Sequence, residues 1–385
     1  MKLLGCLLVV MGMLGGCISV GATDVKGSGI EHVVVYSNPK EFAGWPANEG
    51  IWQWGDEILV GFEVTAYEEH EGHNLNRDAT KRIAFARSLD GGKTWTPEEH
   101  LEIGPPEYLG DPTKHLQKRE GVKDPVPSPG GFDFTHPDFA MKVRGSTFYV
   151  STNRGHDWSG PFKLPDFGHR FLMARTNYLV VDSQVCRLFL SVSDIPAMER
   201  EHARTMMVET RDGGKTFEFV AWLTKEPMLR DRKVKPDVRL AFSLMPSVIE
   251  LEDGKMLAGM RERVGRGKWN HVVMSKDEGR KWRDLSLPVQ HNNNPVSLVS
   301  LGGKRVAIVY GSRLKPYGIR AKISENSGRT WSKEYVLRDD GREWDLGYTR
   351  AVVNSKGQVV IVYYYTTESL KANHIAATIW TPPVK

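Results

Sequence analysis

One short phrase recurs along the chain and constrains the fold more than any other feature of the sequence. Its copies read "SLDGGKTW" at 88–95, "TRDGGKTF" at 210–217, "SKDEGRKW" at 275–282 and "SENSGRTW" at 324–331. Short polar side chains in such a phrase bond nearby backbone N–H groups, and Gly admits positive φ, so each copy predicts a tight turn closed by an aromatic residue. A turn that recurs in this way indicates a fold built from a repeated unit.

Six stretches of paired apolar strands accompany these turns. They begin near residues 51, 138, 178, 246, 295 and 350, and in each a polar turn separates two apolar runs, which is a hairpin signal. After most hairpins a third strand leads into the repeated phrase. Three or four strands repeated six times predict an all-β fold, a six-bladed β-propeller.

The count of six rests on two further expectations. The second unit lacks the phrase, and the interval from Asp90 to Asp212 is correspondingly long. The strand "EHVVVYS" at 31–37 is expected to supply the outer strand of the sixth unit and to close the ring. Seven blades remain the alternative.

The first residues are typical of an export signal. Met1 and Lys2 precede an apolar run that is too short to span a bilayer, followed by "LGGC" at 14–17. We therefore expect a signal peptide at 1–17, a linker at 18–30 and a single propeller domain at 31–385. "LGGC" resembles the bacterial lipobox, in which Cys17 would be acylated; cleavage after "VGA" is the alternative. The expected location is periplasmic, outer-membrane lipoprotein or secreted, with membrane attachment only through a lipid on Cys17.

Composition excludes some partners. A formal net charge of +5 over 385 residues, without long Lys/Arg runs, gives no support for a nucleic-acid surface. His73, His136 and His156 show no close histidine spacing of the zinc-binding type, so no metal and no cofactor are expected. Cys186, in "VCRLFLSV", is predicted to be a buried thiol. We expect a monomer that binds a glycan.

The repeated phrase, S/T-x-D-x-G-x-T-W/F, resembles the Asp-box of the sialidase (neuraminidase) superfamily of six-bladed propellers, over about residues 31–380. The resemblance implies that the turns lie on the rim away from the active face. The starts of first strands and the ends of second strands then surround the active site. These positions are Asn48, Glu49, Glu63, Asp78, His136, Asp138, Arg154, Arg175, Asn177, Asp194, Met245, Arg261, Arg263, Asn294, Arg313, Asp345 and Tyr348.

The resemblance also implies catalytic roles for two residues. Tyr348, in "DLGYTRAVVNSKGQ", matches the family nucleophile, and Asp78, in "HNLNRDATKR", matches the general acid and base. A phenol suits a substrate whose anomeric carbon carries a carboxylate, because a carboxylate nucleophile would repel it.

Arginines are expected to bind the substrate carboxylate, since a guanidinium fork matches that group. Arg261 and Arg313 match two of the three family positions, with Arg320 as a rival of Arg313. The other expected substrate contacts are Arg263, Glu49, Asn48, His136, Arg154 and Arg175.

Two positions depart from the family pattern. The segment "AGWPANEG" at 43–50 lacks the first arginine, and Met245 stands where a Glu would activate the tyrosine. Glu49, Glu262 or Glu343 could substitute for that Glu, and Arg350 could stabilise a tyrosinate.

The predicted function is that of an exported, retaining exo-glycosidase of sialidase type, acting on a terminal sialic acid or a similar acidic sugar. One alternative is a hydrolase or lyase of another acidic polysaccharide, using Tyr348 with His73 or His136. The other alternative is a glycan-binding propeller without catalysis. The two departures from the family pattern leave these alternatives open.

Overall fold

The computed structural model describes residues 29–100, 102–104, 123–194, 203–225 and 241–384. The predicted signal peptide and Cys17 lie outside these described residues. Within them β-strands predominate, and the helix α1 (Pro46–Glu49) is a single turn. The described ranges contain no helix that is both long enough and apolar enough to span a bilayer.

The strands are short and follow one another closely. The first group is β1 (Ile30–Tyr36), β2 (Glu41–Gly44), β3 (Gly50–Trp54), β4 (Glu57–Ala66), β5 (Arg82–Ser88), β6 (Thr96–Glu99), β7 (Ala140–Gly145), β8 (Thr147–Ser151) and β9 (Ser159–Lys163). The second is β10 (Phe171–Leu172), β11 (Ala174–Arg175), β12 (Tyr178–Val180), β13 (Cys186–Ser193), β14 (Arg204–Thr210), β15 (Glu218–Trp222), β16 (Ala241–Glu250), β17 (Met256–Val264) and β18 (Gly267–Ser275). The third is β19 (Trp282–Gln290), β20 (Val296–Ser300), β21 (Val306–Ser312), β22 (Gly318–Ser324), β23 (Tyr335–Arg338), β24 (Gly347–Val353), β25 (Val359–Tyr365) and β26 (His374–Trp380).

These strands form six antiparallel sheets, which we call blades 1 to 6. Blade 1 is β2-β4-β5-β6 with β3 also pairing with β4, blade 2 is β11-β7-β8-β9, and blade 3 is β10-β13-β14-β15 with β12 also pairing with β13. Blade 4 is β16-β17-β18-β19, blade 5 is β20-β21-β22-β23, and blade 6 is β24-β25-β26-β1. The all-β six-bladed propeller is thus confirmed. Strand β1 pairs with β26, so the N-terminal strand closes the ring as predicted.

The repeated turn has the same hydrogen bonds in each copy. In the first copy, Ser88 Oγ donates to Asp90 at 2.9 Å and accepts from the N–H of Gly92 at 2.9 Å. The Asp90 carboxylate also accepts from the N–H of Thr94 at 2.9 Å. Equivalent bonds are centred on Asp212, Asp277 and Asn326. Each of these turns joins the third strand of a blade to the fourth, and we call the face on which they lie the turn face.

A fifth copy of the turn lies at 151–158, "STNRGHDW". Ser151 Oγ donates to Asn153 at 2.8 Å and accepts from the N–H of Gly155 at 2.9 Å, and Asn153 accepts from the N–H of Asp157 at 2.9 Å. The prediction that the second unit lacks the phrase was therefore wrong. Because this turn follows β8, the strands β7 and β8 are the second and third of blade 2, not the first and second.

The innermost strand of blade 2 comes from a segment that otherwise belongs to blade 3. The short strand β11 pairs with β7, whereas its neighbours β10 and β12 pair with β13 of blade 3. One kinked stretch, residues 171–180, thus serves two blades. The ends of β7 and β8 consequently lie on the faces opposite to those that the sequence predicted for them.

Apolar side chains fill the spaces between neighbouring blades. Between blades 2 and 3, Met141, Phe148, Leu188 and Met206 are fully buried, and each such side chain contributes about 1.5–3 kcal/mol on leaving water. Cys186 belongs to the same cluster and is buried as predicted. Burial raises the pKa of its thiol, so it stays uncharged.

Candidate active site

Blades 4, 5 and 6 bring three predicted residues together on the face opposite the turns. Tyr348 lies at the start of β24, Arg261 lies in β17 and Arg313 follows β21 directly. Arg261 Nη1 donates to Tyr348 Oη at 3.2 Å. The guanidinium carbons of Arg261 and Arg313 lie 5.8 and 5.7 Å from the centre of the Tyr348 ring. The phenol is therefore flanked by two cations.

Three residues around this site have a left-handed backbone conformation. Tyr348, Met245 and Trp45 have φ values of 49°, 56° and 58°, in the left-handed region. Such a conformation costs a non-glycine residue about 1–2 kcal/mol and is concentrated at functional sites. The fully buried Asn294 stabilises this conformation at Tyr348, since its Oδ1 accepts from the N–H of Tyr348 at 3.3 Å.

A buried carboxylate, Asp345, lies behind these cations. Its Oδ1 accepts from Tyr364 Oη at 2.5 Å and lies 3.8 Å from Arg313 Nη2. Burial, and then Asp345, raises the pKa of Tyr364 well above its usual value, so this phenol remains a donor. Burial disfavours the charge of Arg313, but Tyr364, Tyr348 and Asp345 outweigh it and raise its pKa. Arg313 is therefore a cation at neutral pH.

His73 reaches the same carboxylate from blade 1. It lies in the connection between β4 and β5, and its Nδ1 is 2.8 Å from Asp345 Oδ1. Its ring packs edge-on against Trp45 at 5.2 Å and lies 5.8 Å from Trp344. The side chain is 41% exposed, so one edge of the imidazole is open to solvent. The sequence placed His73 only in the alternative mechanism, and it gave no signal for Trp45, Trp344 or Tyr364.

Met245 lies beside the phenol of Tyr348. It belongs to an apolar cluster that also contains Ala47, Phe242 and Leu244, and Tyr348 packs against this cluster. The three carboxylates proposed as substitutes bond to other partners. Glu49 pairs with Lys142 and Arg144, Glu262 accepts from Trp269 Nε1, and Glu343 accepts from Asn74.

Blades 1 and 2 contribute a second, more buried set of charges. The fully buried Glu49 pairs with Lys142 and with Arg144 Nε at 3.1 Å, and Arg144 Nη2 donates to Glu63 at 2.7 Å. Burial opposes the charge of Glu49, but Lys142 and Arg144 outweigh it and lower its pKa. The carboxylate is thus ionised.

Two polar residues extend this cluster. Asn48 Nδ2 donates to Glu63 at 3.1 Å, and Arg175 Nε donates to Asn48 Oδ1 at 2.7 Å. Three predicted residues, Asn48, Glu49 and Arg175, therefore lie together. Arg144 was missed, although the turn at 151–158 would have revealed the direction of its strand.

His136 and Arg154 are not on this face, which corrects the prediction. Arg154 Nη1 donates to Glu57 at 2.8 Å, and its carbonyl accepts from Arg87, next to the first repeated turn. His136 lies in a segment that bonds the turn face through Phe134 N–H and the carbonyl of Ser183 at 3.0 Å. Both were misplaced because the direction of blade 2 was reversed in the prediction.

Arg320 bonds to partners other than the phenol. It is 3% exposed within β22, where it donates to the carbonyl of Pro316 at 2.7 Å and pairs with Glu334 at 3.4 Å. Of the two rivals, Arg313 is the one that approaches Tyr348.

The remaining predicted residues lie in a connection, near the end of a strand or at the axis. Asp78 is exposed in the β4–β5 connection, where its N–H donates to Asn76 at 2.9 Å. Arg263 Nε donates to the carbonyl of Gly265 at 2.8 Å in the β17–β18 connection. Arg350 is buried at the axis and bonds two backbone carbonyls. Among the residues that the structure describes, no group of three or more His, Cys, Asp or Glu is arranged to hold a metal ion.

Comparisons with known proteins agree with this architecture. Residues 150–361 match the family described as "BNR repeat-like domain". A sialidase of Bacteroides fragilis (strain YCH46) is 23% identical over 313 residues, which is 73% of this chain and 53% of that protein. The chain thus spans about half the length of this curated relative.

Solved structures share the fold at low identity. A protein of unknown function from Dyadobacter fermentans DSM 18053 has a TM-score of 0.65 at 23% identity, covering 91% of this chain and 98% of that chain. The α-L-arabinanase of Penicillium chrysogenum, complexed with arabinobiose, has a TM-score of 0.58 at 14% identity, covering 90% and 97%. A Trypanosoma rangeli sialidase mutant displaying trans-sialidase activity has a TM-score of 0.55 at 12% identity, covering 92% and 59%. Since the family match covers more than half of the residues, the chain belongs to the BNR repeat-like domain family, as a six-bladed propeller of sialidase type.

Proposed function

We propose that the protein is a retaining exo-glycosidase that releases a terminal sialic acid, or a similar acidic sugar, from a glycan. One observation carries this proposal: two guanidinium groups flank the phenol of Tyr348, with Arg261 Nη1 at 3.2 Å from its oxygen. Nearby cations favour the phenolate, which is the nucleophilic form, and they also attract a substrate carboxylate.

In this mechanism Tyr348 attacks the anomeric carbon and forms a glycosyl–tyrosine intermediate. Asp78, exposed in the β4–β5 connection, protonates the departing oxygen and then activates the water that releases the sugar. Arg261 and Arg313 hold the substrate carboxylate. Arg175, which is half-buried and held by Asn48, is the third cation in place of the arginine missing from 43–50.

The test is hydrolysis of 4-methylumbelliferyl sialoside beside uronide, rhamnoside and fucoside analogues. Tyr348→Phe and Asp78→Asn should each lower kcat by about 10²–10⁴-fold, the usual contribution of such groups. Tyr335→Phe and Asp253→Asn, distant from the site, are matched controls that should retain activity. Full activity of the Tyr348 and Asp78 variants would refute the mechanism, and turnover of neutral sugars alone would refute the substrate class.

A second candidate function is favoured by the pair of His73 and Asp345. A buried carboxylate 2.8 Å from Nδ1 orients the imidazole of the partly exposed His73, and Nε2 is the nitrogen left to exchange a proton with a substrate. With Tyr348 as its partner, this pair would suit a lyase or hydrolase of an acidic polysaccharide. In the lyase, His73 takes the proton beside the carboxylate, the C4–O bond breaks, and Tyr348 protonates the departing oxygen.

Product analysis separates the two candidates. A lyase yields an unsaturated uronide that absorbs ultraviolet light, whereas a sialidase-type enzyme yields none. His73→Gln should abolish the lyase product while leaving sialoside hydrolysis measurable. Release of free sialic acid by wild type, without an unsaturated product from any polyuronide, would exclude the lyase.

We also propose that the chain acts outside the cytoplasm, as the sequence at 1–17 supports. Mass spectrometry of the mature N-terminus distinguishes an acylated Cys17 from cleavage after Ala22. An intact Met1 on protein from the native host would contradict export.

A further inference from the structure

The connection between β4 and β5, residues 67–81, reaches from blade 1 to blade 6 on the face opposite the turns. It contacts residues 342–345, the segment that leads into β24 and Tyr348. The side-chain pairs between the two segments include Glu69 with Arg342, His73 with Asp345 and Asn74 with Glu343. A connection of this length is uncommon, and an ordered one is usually functional.

Asn74 is the buried anchor of this connection, with 1% of its surface exposed. Its Nδ2 donates to Glu343, and its Oδ1 accepts from the N–H of His70 at 3.1 Å. The next residue, Leu75, packs in an apolar cluster that blades 1 and 6 share. A buried amide that lost these partners would leave polar groups unsatisfied, which is costly. Asn74 therefore holds the connection in one place against blade 6.

A hydrogen-bonded turn joins this anchor to Asp78. The N–H of Asn76 donates to the carbonyl of Ala66 at 2.9 Å, which ties the turn back to the end of β4. Asn76 Oδ1 accepts from the N–H groups of Asp78 and Ala79, at 2.9 and 3.1 Å. The backbone of Asp78 is thus fixed relative to Asn74, while its side chain is exposed.

The segment of blade 6 is also fixed. The carbonyl of the fully buried Asp345 accepts from Asn373 Nδ2 at 3.0 Å. The anchor at Asn74 therefore links the segment that carries Asp78 to the segment that carries Tyr348. In a glycosidase the acid and the nucleophile act on the two sides of one bond, so the spacing between them must be fixed. A misplacement of about 1 Å can cost about 10²-fold in rate.

We propose that Asn74 is a positioning residue, which sets the distance between Asp78 and Tyr348 by tying the β4–β5 connection to residues 342–345. Under the proposed function, on which this role rests, Asp78 protonates the departing oxygen. Because Asn74 is buried, it acts through Asp78 and not on the substrate. Its loss should therefore slow the reaction of substrates whose leaving group needs a proton, and should spare the binding of the sugar carboxylate.

The experiment uses the full chain and two glycosides of the acidic sugar that wild type accepts, one with a sugar and one with 4-nitrophenol as the leaving group. A sugar alkoxide departs only when it is protonated, whereas 4-nitrophenolate departs without help. In Asn74→Ala and the isosteric Asn74→Asp, kcat/KM for the first glycoside should fall about 10²-fold, and for the second by less than about threefold. The Kd of a sialic-acid-like inhibitor should not change.

A double variant tests the route of the effect. If Asn74 acts through Asp78, Asn74→Ala combined with Asp78→Asn should be no slower than Asp78→Asn alone. The control Asn354→Ala removes another buried amide that joins blades 6 and 1, but on the turn face, where Nδ2 donates to the carbonyl of Gly91 at 3.2 Å. This control should lower Tm but treat the two glycosides alike.

Arg342→Gln covers the case in which Asn74→Ala does not fold. It removes the pair between Arg342 Nη2 and Glu69 Oε1 at 2.8 Å, and the Glu69 side chain is 70% exposed. Because this contact is weaker, the same preference for the 4-nitrophenyl glycoside should appear at a smaller size.

Three results would overturn the role of Asn74 while wild-type activity leaves the proposed function standing. They are equal losses on the two glycosides, an additive loss in the double variant, and a preference in Asn354→Ala as large as that in Asn74→Ala. A wild type that hydrolyses no acidic sugar would instead overturn the proposed function, and the role of Asn74 with it.

Discussion

The two halves of the face opposite the turns differ in how their charges are arranged. In blades 4 to 6, Arg261 and Arg313 flank the partly exposed Tyr348 at the positions that strand direction predicted. In blades 1 and 2, Glu49 and Arg144 lie in a buried cluster that joins the two blades. Under the proposed function, the first half binds the anionic substrate, and the second half supplies Arg175 as the third cation.

The two halves also differ in how well the sequence predicts them, and the repeated turn explains this difference. Each turn fixes the direction of the strands before it, and hence the face on which each strand end lies. The copies of blades 4 and 5 were recognised, so Arg261 and Arg313 were placed correctly. The copy of blade 2 has Asn153 and Asp157 in place of Asp and Thr, and it was overlooked. Without this turn, the predicted strand directions of blade 2 were reversed. The prediction therefore placed Arg154 on the wrong face and did not include Arg144.

The first and largest expected effect concerns the buried half. Glu49→Gln leaves Lys142 and Arg144 without their charged partner, and it should lower the free energy of unfolding by about 3–5 kcal/mol. Chemical denaturation measures this. The control Glu325→Gln removes an ion pair between Glu325 and Arg305. Because the Glu325 side chain is 37% exposed, this change should alter the free energy of unfolding by less than about 1 kcal/mol. Equal effects of the two variants would show that burial of the cluster is unimportant.

The same variant sharpens the comparison through pH. The cations lower the pKa of Glu49 in the folded state. Its contribution is therefore fully present above the unfolded pKa of about 4.3, and it is lost as pH falls through the lower folded value. The stability difference between wild type and Glu49→Gln should thus be constant near neutral pH and shrink in strong acid. A difference that grew on acidification would contradict the ionised pair.

The second expected effect separates the two faces. Arg261→Ala removes a cation beside the Tyr348 oxygen and should lower kcat/KM by about 10²–10³-fold, the usual cost of losing such a group. Arg154→Ala, on the turn face, should leave kcat/KM within about twofold because its partners are Glu57 and Asp138. Steady-state kinetics on the best substrate measures both. Equal losses would mean that the face assignment is wrong.

A third, smaller effect concerns the hydrogen bond between Tyr364 and Asp345, which lies behind Arg313. Tyr364→Phe removes the hydroxyl that donates to buried Asp345, and should cost about 1.5–3 kcal/mol of folding stability. Tyr365→Phe is the matched control with the smaller loss, because its hydroxyl lies 3.4 Å from the carbonyl of Tyr317 and otherwise interacts with Asp340, whose side chain is 57% exposed. Thermal unfolding of both variants tests this order, and a greater loss for Tyr365→Phe would contradict it.

The smallest effect tests the equivalence of the turns. Asn153→Ala and Asn326→Ala each remove an acceptor for turn N–H groups and should each cost about 1 kcal/mol without changing kcat. Urea denaturation and the activity assay provide both readings. Loss of stability in the Asn326 variant alone would show that 151–158 does not act as a repeated turn.

More of the fold than of the candidate site could be predicted from the sequence. Recurring turns and hairpins were enough to predict six sheets, because these features are local. The closure by β1 followed from the repeat, since the sixth unit needed an outer strand and the segment at 31–37 could supply it. The bond between His73 and Asp345 joins residues far apart in the chain, as does the pair of Glu49 and Lys142. Such contacts depend on how blades pack and on the paths of loops, which no local pattern encodes.

The most direct test of the central claim is a crystal structure with a bound sialic-acid-like inhibitor. The account predicts that the inhibitor carboxylate contacts Arg261 and Arg313, with the anomeric carbon facing Tyr348 Oη. An inhibitor carboxylate bound without Arg261 and Arg313, or bound on the turn face near Arg154, would contradict the account.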